Sequence, residues 1–174
     1  MFTPKFLVCQ MLDSIEVPAG DSQLKVLEPA CGDGNFLVEI FDRRLKIIRQ
    51  TGLAMIEAEF ASLKVLASLY GIDIDKTNVK ECRDRLKARL ALFLDEIGAS
   101  SKQAALDSAC VILDTNIIEG DSINNASKIL LVEYIPDEGG YFAREQSFLE
   151  EPERDLFFEE PLPLETVHYL ELAK

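Results

Sequence analysis

The sequence is poor in the patterns that mark several protein classes. It holds one histidine, His168, and four cysteines, Cys9, Cys31, Cys82 and Cys110, with no C-x-x-C pair among them. That scatter speaks against a structural zinc site and fits reduced thiols in a cytoplasm. No uninterrupted apolar run reaches the roughly 18 residues of a membrane span. The first residues also lack the basic, apolar, small-residue order of a secretory leader. Basic charge is scarce, with a net charge of −13. Residues 1–132 carry 15 Lys+Arg against 19 Asp+Glu, and residues 133–174 carry 3 against 12. DNA binding draws on Lys and Arg to neutralise phosphates, so the acidic end argues against unaided DNA binding. Only Arg43-Arg44-Leu45-Lys46 and the Arg83–Arg89 stretch offer material for a basic patch.

What remains is enough apolar residue for one globular domain with a small appendage. Phe6-Leu7-Val8 and Met11-Leu12 predict a short helix, with Thr3 as N-cap and Pro4 in the first helical position. Val17-Pro18-Ala19-Gly20-Asp21 breaks it. Lys25-Val26-Leu27 reads as a buried strand, followed by helices over about 35–50 and 56–68. A second strand is predicted at Tyr70–Ile74. Val79, Cys82, Leu86, Leu90, Leu94 and Ile97 recur at helical steps, Asp75 is a candidate cap, and Gly98 is a credible C-cap. A helix over 102–113 and a strand over 115–119 follow. Strands alternating with helices predict an α/β fold on a mostly parallel sheet. After residue 128 the pattern turns β-rich. Ile129–Ile135 reads as a strand, Pro136–Gly140 as a turn, and Tyr141-Phe142-Ala143 and 166–172 as further β-structure. The division expected is 1–128, with a β-rich acidic extension over 129–174 that completes or flanks the sheet.

The most informative run is Leu27-Glu28-Pro29-Ala30-Cys31-Gly32-Asp33-Gly34-Asn35, a strand, a glycine turn and a helix start. Gly32 and Gly34 permit close backbone approach and positive φ. Glu28 and Asp33 would repel a phosphate, so a ligand with a positive centre and hydroxyls fits better. Glu28, Asp73 and Asp121 fall at the C-terminal ends of three successive strands, the edge where open parallel sheets bind ligands. Asp73 can accept two ribose hydroxyls. Asp121 can accept an exocyclic amine or serve simply as a turn residue. Glu28 can accompany a charged amino-acid group, and Ile74 and Ile123 offer apolar faces to a purine. Asp33 also suits the helix dipole. Cys31 reads as a small packed residue, and His168 as a surface or core residue.

A dinucleotide-binding fingerprint fails here. Leu37 stands where its third glycine belongs, and Asp73 lies 39 residues after Gly34 instead of about 20. The series instead resembles the cofactor half of the S-adenosylmethionine (SAM)-dependent N6-adenine DNA methyltransferases of restriction–modification systems, across about residues 1–125. The resemblance implies a Rossmann-like methyltransferase fold. It implies that Glu28, Ala30 and Gly32 line the methionine portion of SAM, that Asp73 holds the ribose, and that Gly34 and Ile74 belong to the same cofactor site. Asp121 would bind the adenine amine with the Ser122 backbone at the ring, and Thr3 would contact the cofactor.

The resemblance stops at the cofactor. The family's Asn/Asp-Pro-Pro-Tyr/Phe clamp, which grips the target amine and stacks on a flipped base, is absent. Where it belongs the chain has Pro136-Asp137-Glu138-Gly139. The expectation is a cytoplasmic SAM-binding protein with no catalytic residue identified and little or no methyl transfer of its own. DNA would be met weakly or through a second methyltransferase or specificity subunit. A fragment, a natural short form and one half of a two-subunit enzyme all fit; the ending through Pro161-Leu162-Pro163 favours the last two. The alternatives are a non-enzymatic interaction module and a methyltransferase for a non-DNA substrate.

Overall fold

The structure, a computed structural model, describes residues 3–14, 24–150 and 164–174. Phe2, the break expected at Val17–Asp21 and the Pro161-Leu162-Pro163 ending lie outside the described residues. Helix α1 (Lys5–Ser14) leads to strand β1 (Val26–Glu28), helices α2 (Asn35–Gln50) and α3 (Met55–Ala67), strand β2 (Leu69–Asp73), helices α4 (Lys76–Glu96) and α5 (Lys102–Asn116) and strand β3 (Ile117–Glu119). Strands β4 (Leu130–Asp137), β5 (Tyr141–Phe148) and β6 (Leu164–His168) complete the order.

β1, β2 and β3 form a three-stranded parallel sheet in that order, with Glu28 opposite Gly71 and Asp73 opposite Glu119. The fold is therefore α/β on a parallel sheet. Alternate β2 residues face opposite ways. On one side a Cβ on Gly71 would lie 2.8 Å from Leu37 of α2 and 3.1 Å from the Cys31 Sγ in the glycine turn. Tyr70 and Ile72 pack with Ile129 and Leu131 instead. That second face is covered by the end of the chain. β4, β5 and β6 make their own antiparallel sheet, with the turn at 138–140 passing through Gly139 and Gly140 at positive φ. Among the described residues the extension flanks the parallel sheet and adds no strand to it.

Helix faces follow their periodicity. α4 buries Val79, Cys82, Leu86, Leu90, Phe93 and Leu94, and α2 buries Leu37, Phe41, Leu45 and Ile48. α3 is apolar nearly all round because α2, α5 and β4 surround it. Its start has half a capping box: the Glu57 Oε2 accepts from the Ala54 N–H at 3.1 Å, while Ala54 has no acceptor to return. Asp75 caps α4, accepting from the Thr77 N–H at 2.8 Å, and Gly98 follows the helix at φ 66°.

Three expectations need correction. β1 is not a buried strand, since Leu27 is exposed and Val26 only partly covered. Pro4, not Thr3, takes the cap position of α1, since its carbonyl accepts from Val8 and Leu7. Thr115 and Asn116 belong to α5, not to β3. The Thr115 hydroxyl bonds back to the Val111 and Ile112 carbonyls, and Asn116, fully buried, donates to the Ala67 carbonyl. The strand preference of Thr115 lost there to helical hydrogen bonding.

Candidate functional site at the C-terminal edge of the parallel sheet

The edge is assembled from three loops that hydrogen-bond to one another. The Cys31 N–H donates to the Ile72 carbonyl at 2.9 Å, laying the glycine turn across the end of β2. Gly32 and Gly34 have φ of 54° and 87°, conformations that a side chain resists. The Gly32 N–H donates to the Asp73 Oδ2 at 2.9 Å. The Asp73 Oδ1 accepts from the Asp75 N–H at 2.8 Å and from the Asn78 side-chain amide at 3.1 Å. The third loop joins through the Gly120 N–H, which donates to the Asp73 carbonyl, and through the Ser122 hydroxyl, which donates to the Pro29 carbonyl at 2.8 Å. Ala30, Gly32, Asp73 and Ser122 therefore share one continuous edge, and Glu28 ends β1 beside them.

Asp121 sits in a tight turn of its own making. Its Oδ1 accepts from the Ile123 and Asn124 N–H groups, and its Oδ2 from the Asn124 side chain at 2.8 Å. The Asn124 amide and these backbone donors hold its carboxyl below the usual range. Glu28 behaves oppositely. Burial pushes its carboxyl up, with the Ala30 N–H opposing in part, and no cation pairs with it among the described residues. Ile74 and Ile123 are 75% and 88% exposed, apolar side chains standing in solvent at the same edge.

Thr3 lies at the start of α2, where its carbonyl accepts from the Asn35 side chain at 3.1 Å. Gly34 is buried and faces away from the edge; a Cβ there would meet the Cys82 Sγ at 2.5 Å. The need for glycine at 34 is one of packing as well as φ. Arg85 of α4 was not singled out by the sequence, yet it braces the whole turn. It donates to the Asp33 carbonyl at 2.6 Å and the Asn35 Oδ1 at 2.8 Å, and pairs with the Asp33 carboxylate at 2.9 Å. One Asp33 oxygen is still buried without a partner. Nothing in the charged face of α4 distinguishes Arg85 from Arg83 or Arg89 before the chain is folded.

His168 accepts from the Leu170 N–H and packs on Tyr141 and Tyr169, not on any of these loops in the contacts it makes. Cys31 and Cys82 are buried, and a bond to Cys31, aided by burial, pushes the Cys82 thiol up. All four cysteines are free. Among the described residues no cluster of His, Cys, Asp and Glu could hold a metal ion, and no helix is long and apolar enough to cross a membrane. The edge is acidic, which suits a ligand that carries positive charge and suits a phosphate poorly. The sequence matches no protein-family model, and none of the curated proteins matches it either.

Proposed function

We propose that this chain is a SAM-binding domain similar to the cofactor half of the N6-adenine DNA methyltransferases, with a Rossmann-like methyltransferase fold and without independent methyl transfer. The observation that carries the reading is the junction of three loops at one strand edge. Asp73 is at its centre, bound to the glycine turn on one side and reached by the Gly120 loop on the other. Glu28 faces the ammonium end of the ligand, Asp73 offers its remaining lone pairs to the ribose, and Ile74 and Ile123 flank the adenine. SAM supplies an electrophilic methyl group on a sulfonium centre. The sequence has no Asn/Asp-Pro-Pro-Tyr/Phe clamp, so the clamp on the acceptor adenine comes from a partner subunit, which also meets the DNA.

The test is isothermal titration of SAM into the chain, beside Asp73→Asn, with a radiolabelled methyl-transfer assay on plasmid DNA. Saturable binding that weakens by about tenfold or more in the variant, with no transfer, is expected. Robust methylation by the chain alone overturns the inactive half of the proposal. A second reading, an interaction module on the same fold, is favoured by one observation: both Asp121 oxygens and both Asp73 oxygens already have protein donors. Absence of SAM binding at millimolar ligand would make it the leading one.

A further inference from the structure

α4 and α5 run side by side in opposite directions, joined by a ladder of side chains. Arg83 pairs with Asp114 at 2.6 Å and donates to the Ile117 carbonyl, Lys87 reaches Cys110, and Lys102 pairs with Asp95 at 2.6 Å. The middle rung is unlike the other two. The Lys87 Nζ donates to the Cys110 Sγ at 2.9 Å, and both residues are half-buried. A lysine nitrogen and a cysteine sulfur, both nucleophilic, thus stand in contact on two different helices. The bond to Cys110 pushes the Lys87 ammonium up against the effect of burial, and Asp107 and Asp84 add to it. The other cysteines are placed differently. Cys31 and Cys82 are buried. Cys9 is half-buried like Cys110, but its thiol bonds to the Glu39 carboxylate. The thiolate is the nucleophilic form of cysteine. A thiolate at Cys110 meets an ammonium and one at Cys9 meets a carboxylate, so charge singles out Cys110.

We propose that Lys87 and Cys110 form a redox-responsive pair: hydrogen peroxide oxidises the sulfur, and the lysine nitrogen then closes an S–N bond that staples α4 to α5. In the first step the Cys110 sulfur attacks one peroxide oxygen. An S–O bond forms and the O–O bond breaks. The leaving hydroxide takes a proton from the Lys87 ammonium and departs as water. The sulfur has lost two electrons to become a sulfenic acid, and the peroxide has gained them. In the second step the neutral Lys87 amine attacks the sulfenic sulfur. The N–S bond forms, the S–O bond breaks, and hydroxide leaves with a proton from the nitrogen as a second water. Sulfenic acids condense with backbone nitrogen in this way, and an amine is the stronger nucleophile. The two helices reach the candidate site from either side. α4 starts beside the Asp75 and Asn78 donors of Asp73, and α5 runs into β3. The staple joins residues 23 positions apart, and it restrains the unfolded chain as a disulfide does.

The test treats the full chain with hydrogen peroxide and maps its tryptic peptides by mass spectrometry, beside Lys87→Arg and Cys110→Ser. A peptide joining the Lys87 and Cys110 segments, lighter than its parts by two hydrogens and uncleaved after Lys87, is expected. Dithiothreitol should release it. Lys87→Arg keeps the positive charge and lacks the amine, so its Cys110 should pass on to the sulfinic acid with no linked peptide. The staple should raise the midpoint of thermal unfolding by about 5 °C or more. Dithiothreitol should remove that gain, and neither variant should show it. Circular dichroism verifies the fold of both variants. Unreacted Cys110, a sulfinic acid at Cys110 of the unaltered chain in place of the linked peptide, or a Cys31–Cys82 disulfide taking up the oxidant would each overturn the inference. The chemistry lies between α4 and α5 and away from the ligand edge, so it and the SAM reading can fail separately.

Discussion

Glu28 carries a conflict that the rest of the edge does not. Asp73 and Asp121 are surrounded by donors, but Glu28 has one backbone N–H and an apolar groove. Its folded carboxyl holds its proton more tightly than the unfolded one does, so protonation favours the fold. The cost of the ionised form is absent below the ordinary value of 4.5, grows as pH rises through the folded value and is complete at neutral pH. Glu28→Gln keeps the acceptor and removes the charge. Its urea midpoint should exceed that of the unaltered chain at neutral pH, and the gap should close below about pH 4. A gap independent of pH would mean that the substitution acts through packing. The identity of the edge carboxylates was legible because strand ends can be read from hydrophobic runs. Their hydrogen-bond state was not, because the donors Asn78 and Asn124 look like ordinary polar residues of a helix start and a loop.

Among the elements, α4 does most to hold the glycine turn. Its buried stripe lies on α2 and the sheet, and its polar side sends Arg85 to Asp33 and Asn35. Removing the guanidinium leaves the largely buried Asp33 carboxylate without its cation. Arg85→Met should lower stability by about 1–3 kcal/mol, measured by urea unfolding. Asp33→Asn in that background should restore part of it. No recovery would show that Arg85 works through Asn35 and the backbone alone. α2 and α4 were readable almost to the residue, because one apolar face repeated over several turns overrides local ambiguity. The boundary of α5 was not. Isoleucine, threonine and asparagine at 115–118 favour strand or turn by type, and only the Thr115 back-bonds and the Asn116–Ala67 contact extend the helix.

In the whole molecule, the acidic end of the chain turns out to be part of the core. Val132, Tyr134, Phe142, Tyr169 and Leu172 belong to the same apolar cluster as α2 through α5. The Tyr169 hydroxyl donates to Glu59, a carboxylate 1% exposed on α3 whose other oxygen has no partner. Tyr169→Phe strands that carboxylate and should cost about 1–3 kcal/mol in thermal unfolding. Glu59→Gln in the same background should return part of the loss, and a neutral effect of Tyr169→Phe would show that water replaces the hydroxyl. Deleting residues 133–174 therefore removes part of the core. The parallel sheet closes only after α2, α3, α4 and α5 have each been threaded between its strands, whereas β4 and β5 meet across one tight turn. Local pairings form early and distant ones late. Closing so short a loop costs the hairpin less entropy than the long crossovers cost the parallel sheet, so pulsed amide exchange during refolding should protect β4 and β5 before β1, β2 and β3.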